Sequence, residues 1–272
     1  MSVTEITSTR ALFPDLREAW HHRHLGVMLA RRNIKARYMQ TLLGSVWIII
    51  QPLLLTGMLT LILGMLLSVP SDGLPYLLFV FTGTVIWSTF QRAVTDTGIS
   101  LAGSGNIILK VYFPRILIPI SSALTALVDL IPVYAVLLLV VAAYGQFPGW
   151  PILLSPVFLL LALLMAFAIG LWVTVLDAVF RDIRMVVPSA LQLIFYATPV
   201  MYSATVVPER FVVLFRLNPL FGLINGFRWS MVAAATPPNL IDIAWSCGFI
   251  VLMLAAGLAL FARLENFAVD RI

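Results

Sequence analysis

The chain has 272 residues, a formal net charge of +5, 61% hydrophobic and only 11% charged residues, and a mean hydropathy of +1.02. That balance excludes a soluble one- or two-domain protein and reads as an all-α, polytopic membrane protein. The net positive charge needs no nucleic acid as partner, because membrane topology accounts for it.

The first 41 residues form a cytoplasmic N-terminal segment, charged throughout, with seven of the 17 Lys and Arg residues of the chain. Leu16, Trp20, Val27, Ile34 and Tyr38 fall on one stripe at helical spacing, which predicts an amphipathic interfacial helix between Leu16 and Tyr38, with Arg23 and Arg31 intruding and Gly26 as a possible break. Its histidines, His21, His22 and His24, are adjacent rather than at i, i+4, a spacing that does not make a metal face. No metal site is expected.

Leu42 to Ser68 carries no formal charge over 27 residues; as a helix it is about 40 Å long against a hydrocarbon core of about 30 Å. It spans, tilted or kinked, with Gln51-Pro52 inside it. Uncharged runs predict further spans at 73–91, 185–205 and 243–262. The run from Ile116 to Leu176 contains one charge, Asp129, and the turn cluster "YGQFPGWP" divides it into spans 116–143 and 151–176. Six spans result, in a single membrane domain over 42–262, with a short tail at 263–272.

Six spans put both termini on one side. Fourteen Lys and Arg residues lie on that side and three (Arg210, Arg216, Arg228) on the other, so the positive-inside rule makes the termini cytoplasmic. On the opposite face, the segment 206–240 is long and apolar. Its runs "LNPLFGLINGF" and "WSMVAAATPPNL" are too short to span and too apolar for free loop, and predict short re-entrant or interfacial helices before the last span. A small cap outside the membrane is the alternative.

Catalytic residues are not visible: no Gly-x-Ser-x-Gly occurs, and no span holds a pair of carboxylates. Lys35 and Lys110, the only lysines, lack the phosphate-loop context, so ATP would have to be hydrolysed elsewhere. Asp129 falls near mid-membrane, where a charge is a functional hypothesis by default. It is either a proton or cation site or one half of a structural pair; no second acid accompanies it to make a relay, and Arg228 is the cation expected to approach. Gln51 and Gln192 read as interhelical hydrogen-bonding groups. Trp47, Trp87, Phe90, Phe195, Tyr196 and Tyr202 recur along the first, second and fifth spans, either as interfacial belt and packing or as sugar-facing lining of a wide channel. The cytoplasmic segment 95–115 is broken at Gly103 and Gly105, offers Asn106 as a helix cap and stops at Pro114. The short basic, aromatic helix between is either a turn or a docking knob.

The stretch "RNIKARYMQTLLGSVWIIIQPLL", with Arg37-Tyr38, Gln40-Thr41, Leu43-Gly44, Trp47 and Gln51-Pro52, closely resembles the entry to the first span in permease subunits of bacterial polysaccharide ABC exporters, of the ABC-2 type. "PYLLFVFTGTVIWSTF", "NIILKVYFPRILIP", "FRDIRMVVPSALQLIFYATPVMY" and "LNPLFGLINGFRW" extend the resemblance from about residue 13 to the C-terminus. It implies a homodimer in the bacterial inner membrane that exports a lipid-linked glycan, with two ATPase subunits binding ATP and Mg on the cytoplasmic side and no cofactor in this chain. It makes Asn106, Ile107, Lys110, Tyr112, Phe113, Pro114 and Arg115 the coupling segment and 206–240 an outer gate. A lipid diphosphate would meet Arg31, Lys35, Arg37 or Tyr38 through charge-assisted hydrogen bonds; anionic headgroups alone would also attract these cations, by about 1 kcal/mol per charge. The competing readings are an ABC-2 permease for a drug or small lipid, and an ion-coupled secondary transporter using Asp129.

Overall fold

The computed structural model describes residue 14 and residues 16–39, 43–104, 113–180 and 182–269. Helices account for the regular structure, and no strand occurs among these residues. In chain order they are α1 (Leu16–His21), α2 (Arg23–Tyr38), α3 (Trp47–Leu59, continued as a π-helix over Thr60–Leu66), α4 (Tyr76–Gly98) and α5 (Leu117–Ala143). Then follow α6 (Ser155–Val179), α7 (Ile183–Ala197), α8 (Glu209–Arg216), α9 (Leu220–Met231) and α10 (Leu240–Val269).

Five helical stretches are long and apolar enough to cross a membrane: 44–66, 76–98, 117–143, 150–179 and 240–263. They match five of the six expected spans. The second runs seven residues past Gln91, through Arg92 and Asp96, because α4 lies inside the bundle, where charges meet protein partners rather than lipid. It is the least apolar of the five and the most buried, whereas α3 and α10 expose most of their surface. A central helix can afford polar groups that a peripheral one cannot.

The fifth expected span, 185–205, is not one long helix. α7 ends at Ala197 after 15 residues, about 22 Å, and residues 198–203 continue as irregular, buried chain. Gly83 makes room for it: a side chain there would stand 2.9 Å from the Val200 carbonyl. Buried donors then satisfy the freed carbonyls, as irregular backbone in an apolar setting requires. Tyr76 donates its hydroxyl to Met201 O at 2.5 Å, and Arg228 Nη2 donates to Pro199 O at 3.3 Å. Ser203 donates to Asp72 Oδ1 in the turn between α3 and α4.

The N-terminal segment is two helices rather than one. The helix breaks at His22, where α1 ends and α2 begins. Trp20 (68% exposed) and Val27 face away from the bundle, and the packed face is Ala19, Gly26, Leu29 and Ala30. Small residues win that face because α2 lies close along the start of α5; a side chain at Gly26 would touch Leu117.

Two cores result. The larger one centres on α4, with Leu78, Phe79, Phe81, Ile86 and Trp87 against α5, α6, α7 and α9. The smaller joins Ala19 and Leu29 to Leu101, Phe113, Leu117, Leu171 and Phe261.

Candidate functional site

The charges expected in separate places converge on one site. α2 and α5 run in the same direction side by side: Asn33 Nδ2 donates to Ser121 Oγ at 3.4 Å, and one turn further along α2 and two along α5, Arg37 Nη1 donates to Asp129 Oδ2 at 2.5 Å. The other Arg37 nitrogen, Nη2, donates to Asp96 Oδ2 at 2.5 Å, and the Tyr38 hydroxyl donates to Asp129 Oδ1 at 3.0 Å. Arg37 therefore clamps α2 onto both α4 and α5. Asp129 is 4% exposed and Arg37 28%, so removing either leaves an opposite charge with little water to take its place.

Arg92 closes the cluster more loosely. Its Nη1 lies 3.5 Å from Asp129 Oδ2 and its Nη2 3.3 Å from Gln51 Oε1 on α3. One turn of α4 separates Arg92 from Asp96, so both face α2 and α5. Burial alone would lower the Arg37 pKa, but Asp96 and then Asp129 outweigh it and the net direction is upward. Burial and then the Asp129 carboxylate both raise the Tyr38 pKa, which keeps that hydroxyl a donor.

A cleft of about 300 Å³ opens beside the cluster, lined by Arg37, Tyr38, Gly44, Trp47, Ile48, Gln51, Arg92 and Asp96. A second, of about 190 Å³, lies on the other side of the Arg37–Asp96 pair and is walled by Arg32, Asn33, Ser100, Ser104, Ser122 and Thr125 among others. The arrangement has no nucleophile paired with a base. It can hold a phosphate-like anion or transmit movement between α2, α3, α4 and α5.

Arg228 does not approach Asp129. It lies in α9, 6% exposed, with its guanidinium carbon 3.7 Å from the Phe79 ring centroid. It donates to Phe79 O, Pro199 O and Asn225 Oδ1. Burial lowers its pKa to about 10, with the Asp72 carboxylate opposing. Asp129's cation comes instead from α2, which sequence order placed outside the membrane domain.

Of the aromatic candidates, Trp87, Phe90 and Phe195 pack on one another inside the larger core, with Trp87 5.6 Å from Phe90 and 5.3 Å from Phe195 between ring centroids. Trp47 and Tyr196 are exposed, and Tyr202 is half-buried with its hydroxyl on Tyr196 O. Gln51 and Gln192 are both exposed. Arg31 and Lys35 are exposed on α2. Asn106, Ile107, Lys110 and Tyr112 lie outside the described residues; Phe113 is buried in the smaller core, and Pro114 and Arg115 lead into α5. Sequence reasoning missed Arg92 and Asp96 as site residues, although their i, i+4 spacing on a helix was a signal.

The ABC-2 type transporter family model matches residues 25–232, which takes in every residue of the charged cluster. The chain belongs to the ABC-2 type transporter family. It is 28% identical over 255 residues to the O-antigen export system permease protein RfbA of Myxococcus xanthus, covering 93% of this chain and 97% of that one. Two proteins of the same name from Klebsiella pneumoniae are 28% and 26% identical over 243 residues, 88% of this chain and 91% of theirs. As a member of this family the chain is a multi-pass transporter permease subunit, and ABC-2 permeases work with ATPase partner subunits in ABC exporters.

Proposed function

We propose that this chain is the membrane-spanning subunit of an ATP-driven exporter that moves a lipid-linked polysaccharide of the O-antigen, capsule or teichoic-acid type across the bacterial inner membrane. The observation that carries the reading is likeness to O-antigen export permeases over nearly the whole of both chains. Two copies form the channel, and two ATPase subunits bind ATP and Mg on the cytoplasmic side, where both termini lie.

In this reading the fifth crossing is α7 completed by the irregular segment 198–203, which gives six. The short helices α8 and α9 form the re-entrant gate at the outer mouth, supported by α9 being buried at ten of its 12 positions. α1 and α2 sit at the inner interface, with Trp20 and Val27 toward lipid and Arg31 and Lys35 toward anionic headgroups. The segment 95–115 couples to the ATPase; burial of Phe113 against Leu29, Leu117 and Phe261 supports a rigid route from it to α2, α5 and α10. Of the six candidate aromatics, Trp47 and Tyr196 are the exposed ones and face a passing glycan. The clamp on Asp129 by Arg37 and Tyr38 weighs against an ion-coupled transporter, since a proton carrier there would have to break the Arg37 ion pair and disturb the Tyr38 hydrogen bond at each cycle.

Deletion of the gene is expected to abolish surface polysaccharide while its lipid-linked precursor accumulates inside. An ATPase is expected to copurify with the tagged chain and to respond to lipid-linked glycan. Normal surface polysaccharide in the deletion strain would overturn the reading.

A further inference from the structure

Arg37 is engaged on two carboxylates, so it has little left to offer a ligand, whereas Arg92 is held weakly. Of the five N–H donors on a guanidinium, Arg92 commits one to a long contact with Asp129 at 3.5 Å and one to the neutral Gln51 at 3.3 Å. It is 24% exposed and lines the 300 Å³ cleft. Asp129 keeps Arg37 and Tyr38 if Arg92 turns away. The cluster can therefore lend Arg92 to an incoming anion without stranding its buried carboxylate.

We propose that Arg92 is the phosphate-binding residue of the cleft between α2, α3 and α4, and that it takes the head of an anionic lipid rather than a soluble phosphate. Position supports the lipid source. Arg92 lies on α4, one of the helices long enough to cross a membrane, six residues, about 9 Å, inside its end at Gly98. The neighbouring face of α3 is apolar and exposed at Leu54, Met58 and Leu61, so acyl or prenyl chains can lie along it while the phosphates reach inward past Trp47. A forked guanidinium suits two phosphate oxygens, which an ammonium cannot match. Arg37 is then a positioning residue: it fixes Asp129 and the cleft wall. This inference rests on the exporter reading and names the head chemistry of its substrate.

The test is calorimetric titration of the purified full-length protein, in nanodiscs of zwitterionic lipid, with farnesyl diphosphate, inorganic pyrophosphate and farnesol. Wild type is expected to bind farnesyl diphosphate, with Arg92→Gln weakening it about tenfold or more, Arg92→Lys falling between, and the exposed Arg216→Gln unchanged. Melting curves of both Arg92 variants establish folding, and the Lys variant alone decides if the Gln variant does not fold. Equal affinity in wild type and Arg92→Lys together with Arg92→Gln would overturn the proposal, as would farnesol binding as tightly as the diphosphate. Pyrophosphate binding as tightly as farnesyl diphosphate would overturn the lipid source. The exporter reading fails on a separate readout, the surface polysaccharide of the deletion strain.

Discussion

Two arginines, one half-buried and one buried, divide the molecule. Arg37 meets two carboxylates and a tyrosine at the end of the bundle where α2 joins α4 and α5, and its pKa is raised. Arg228, more deeply buried, meets only carbonyl oxygens, one amide and an aromatic face, and its pKa is lowered to about 10. Carboxylate pairing joins three helices that could otherwise separate; carbonyl pairing stabilises a place where one helix has been opened. The same side chain thus clamps intact elements in one region and caps broken backbone in another.

The comparison breaks most sharply at Asp129. Asp129→Ala leaves Arg37 half-compensated and is expected to cost about 3–5 kcal/mol, read as a large fall in melting temperature and loss of yield. The double replacement Arg37→Met with Asp129→Leu should recover part of that, because it removes both halves of this pair and returns the cluster to neutrality, leaving Asp96 with the charge of Arg92. A double variant no more stable than Asp129→Ala would show that the clamp is not a pair.

Arg228→Met strips donors from Pro199 O and Phe79 O and is expected to cost about 1–3 kcal/mol, with no rescue from any carboxylate substitution. Its second readout is local: amide exchange over residues 198–203 should quicken while that of α2 does not change. Gly83→Val presses on the same irregular segment from the other side. The contact with Val200 is backbone, so overpacking of about 1–3 kcal/mol is expected, again with effects confined to 198–203. Identical exchange in both regions for either variant would erase the distinction.

Tyr38→Phe removes one hydrogen bond from Asp129 but leaves Arg37 in place, and a fall of about 1.5 kcal/mol is expected from a bond to a charged acceptor. Smallest of all is Arg31→Gln. Its side chain is exposed on α2, and the melting temperature is expected to stay within the scatter of wild type.

Much of this architecture was legible from residue order. The uncharged runs located five helices to within a few residues at most ends, because lipid tolerates few charges and helix length must match the hydrocarbon. The same rule misled at two places. It ended the second span at Gln91, hiding Arg92 and Asp96, since protein-lined charge and water-exposed charge look alike in a sequence. It also read 185–205 as one helix, since nothing in "ATPVMYS" announces that Tyr76 and Arg228 will satisfy its carbonyls.

Asp129 teaches the same lesson in partner choice. The sequence stated that a buried carboxylate needs a cation, and sequence topology offered Arg228. Tertiary packing supplied Arg37, because Gly26, Leu29 and Ala30 allow α2 to climb along α5 rather than lie apart from it.

Composition and hydropathy by themselves determined that this chain is a helical membrane protein, roughly where it crosses, and which charges would have to be accounted for. Which helix lies inside, which charge answers which, and where a crossing opens were decided only by tertiary structure. The physical reason is that transfer into lipid acts on each segment alone and can be read locally, whereas a buried charge or a freed carbonyl is tolerated only through a partner tens of residues away.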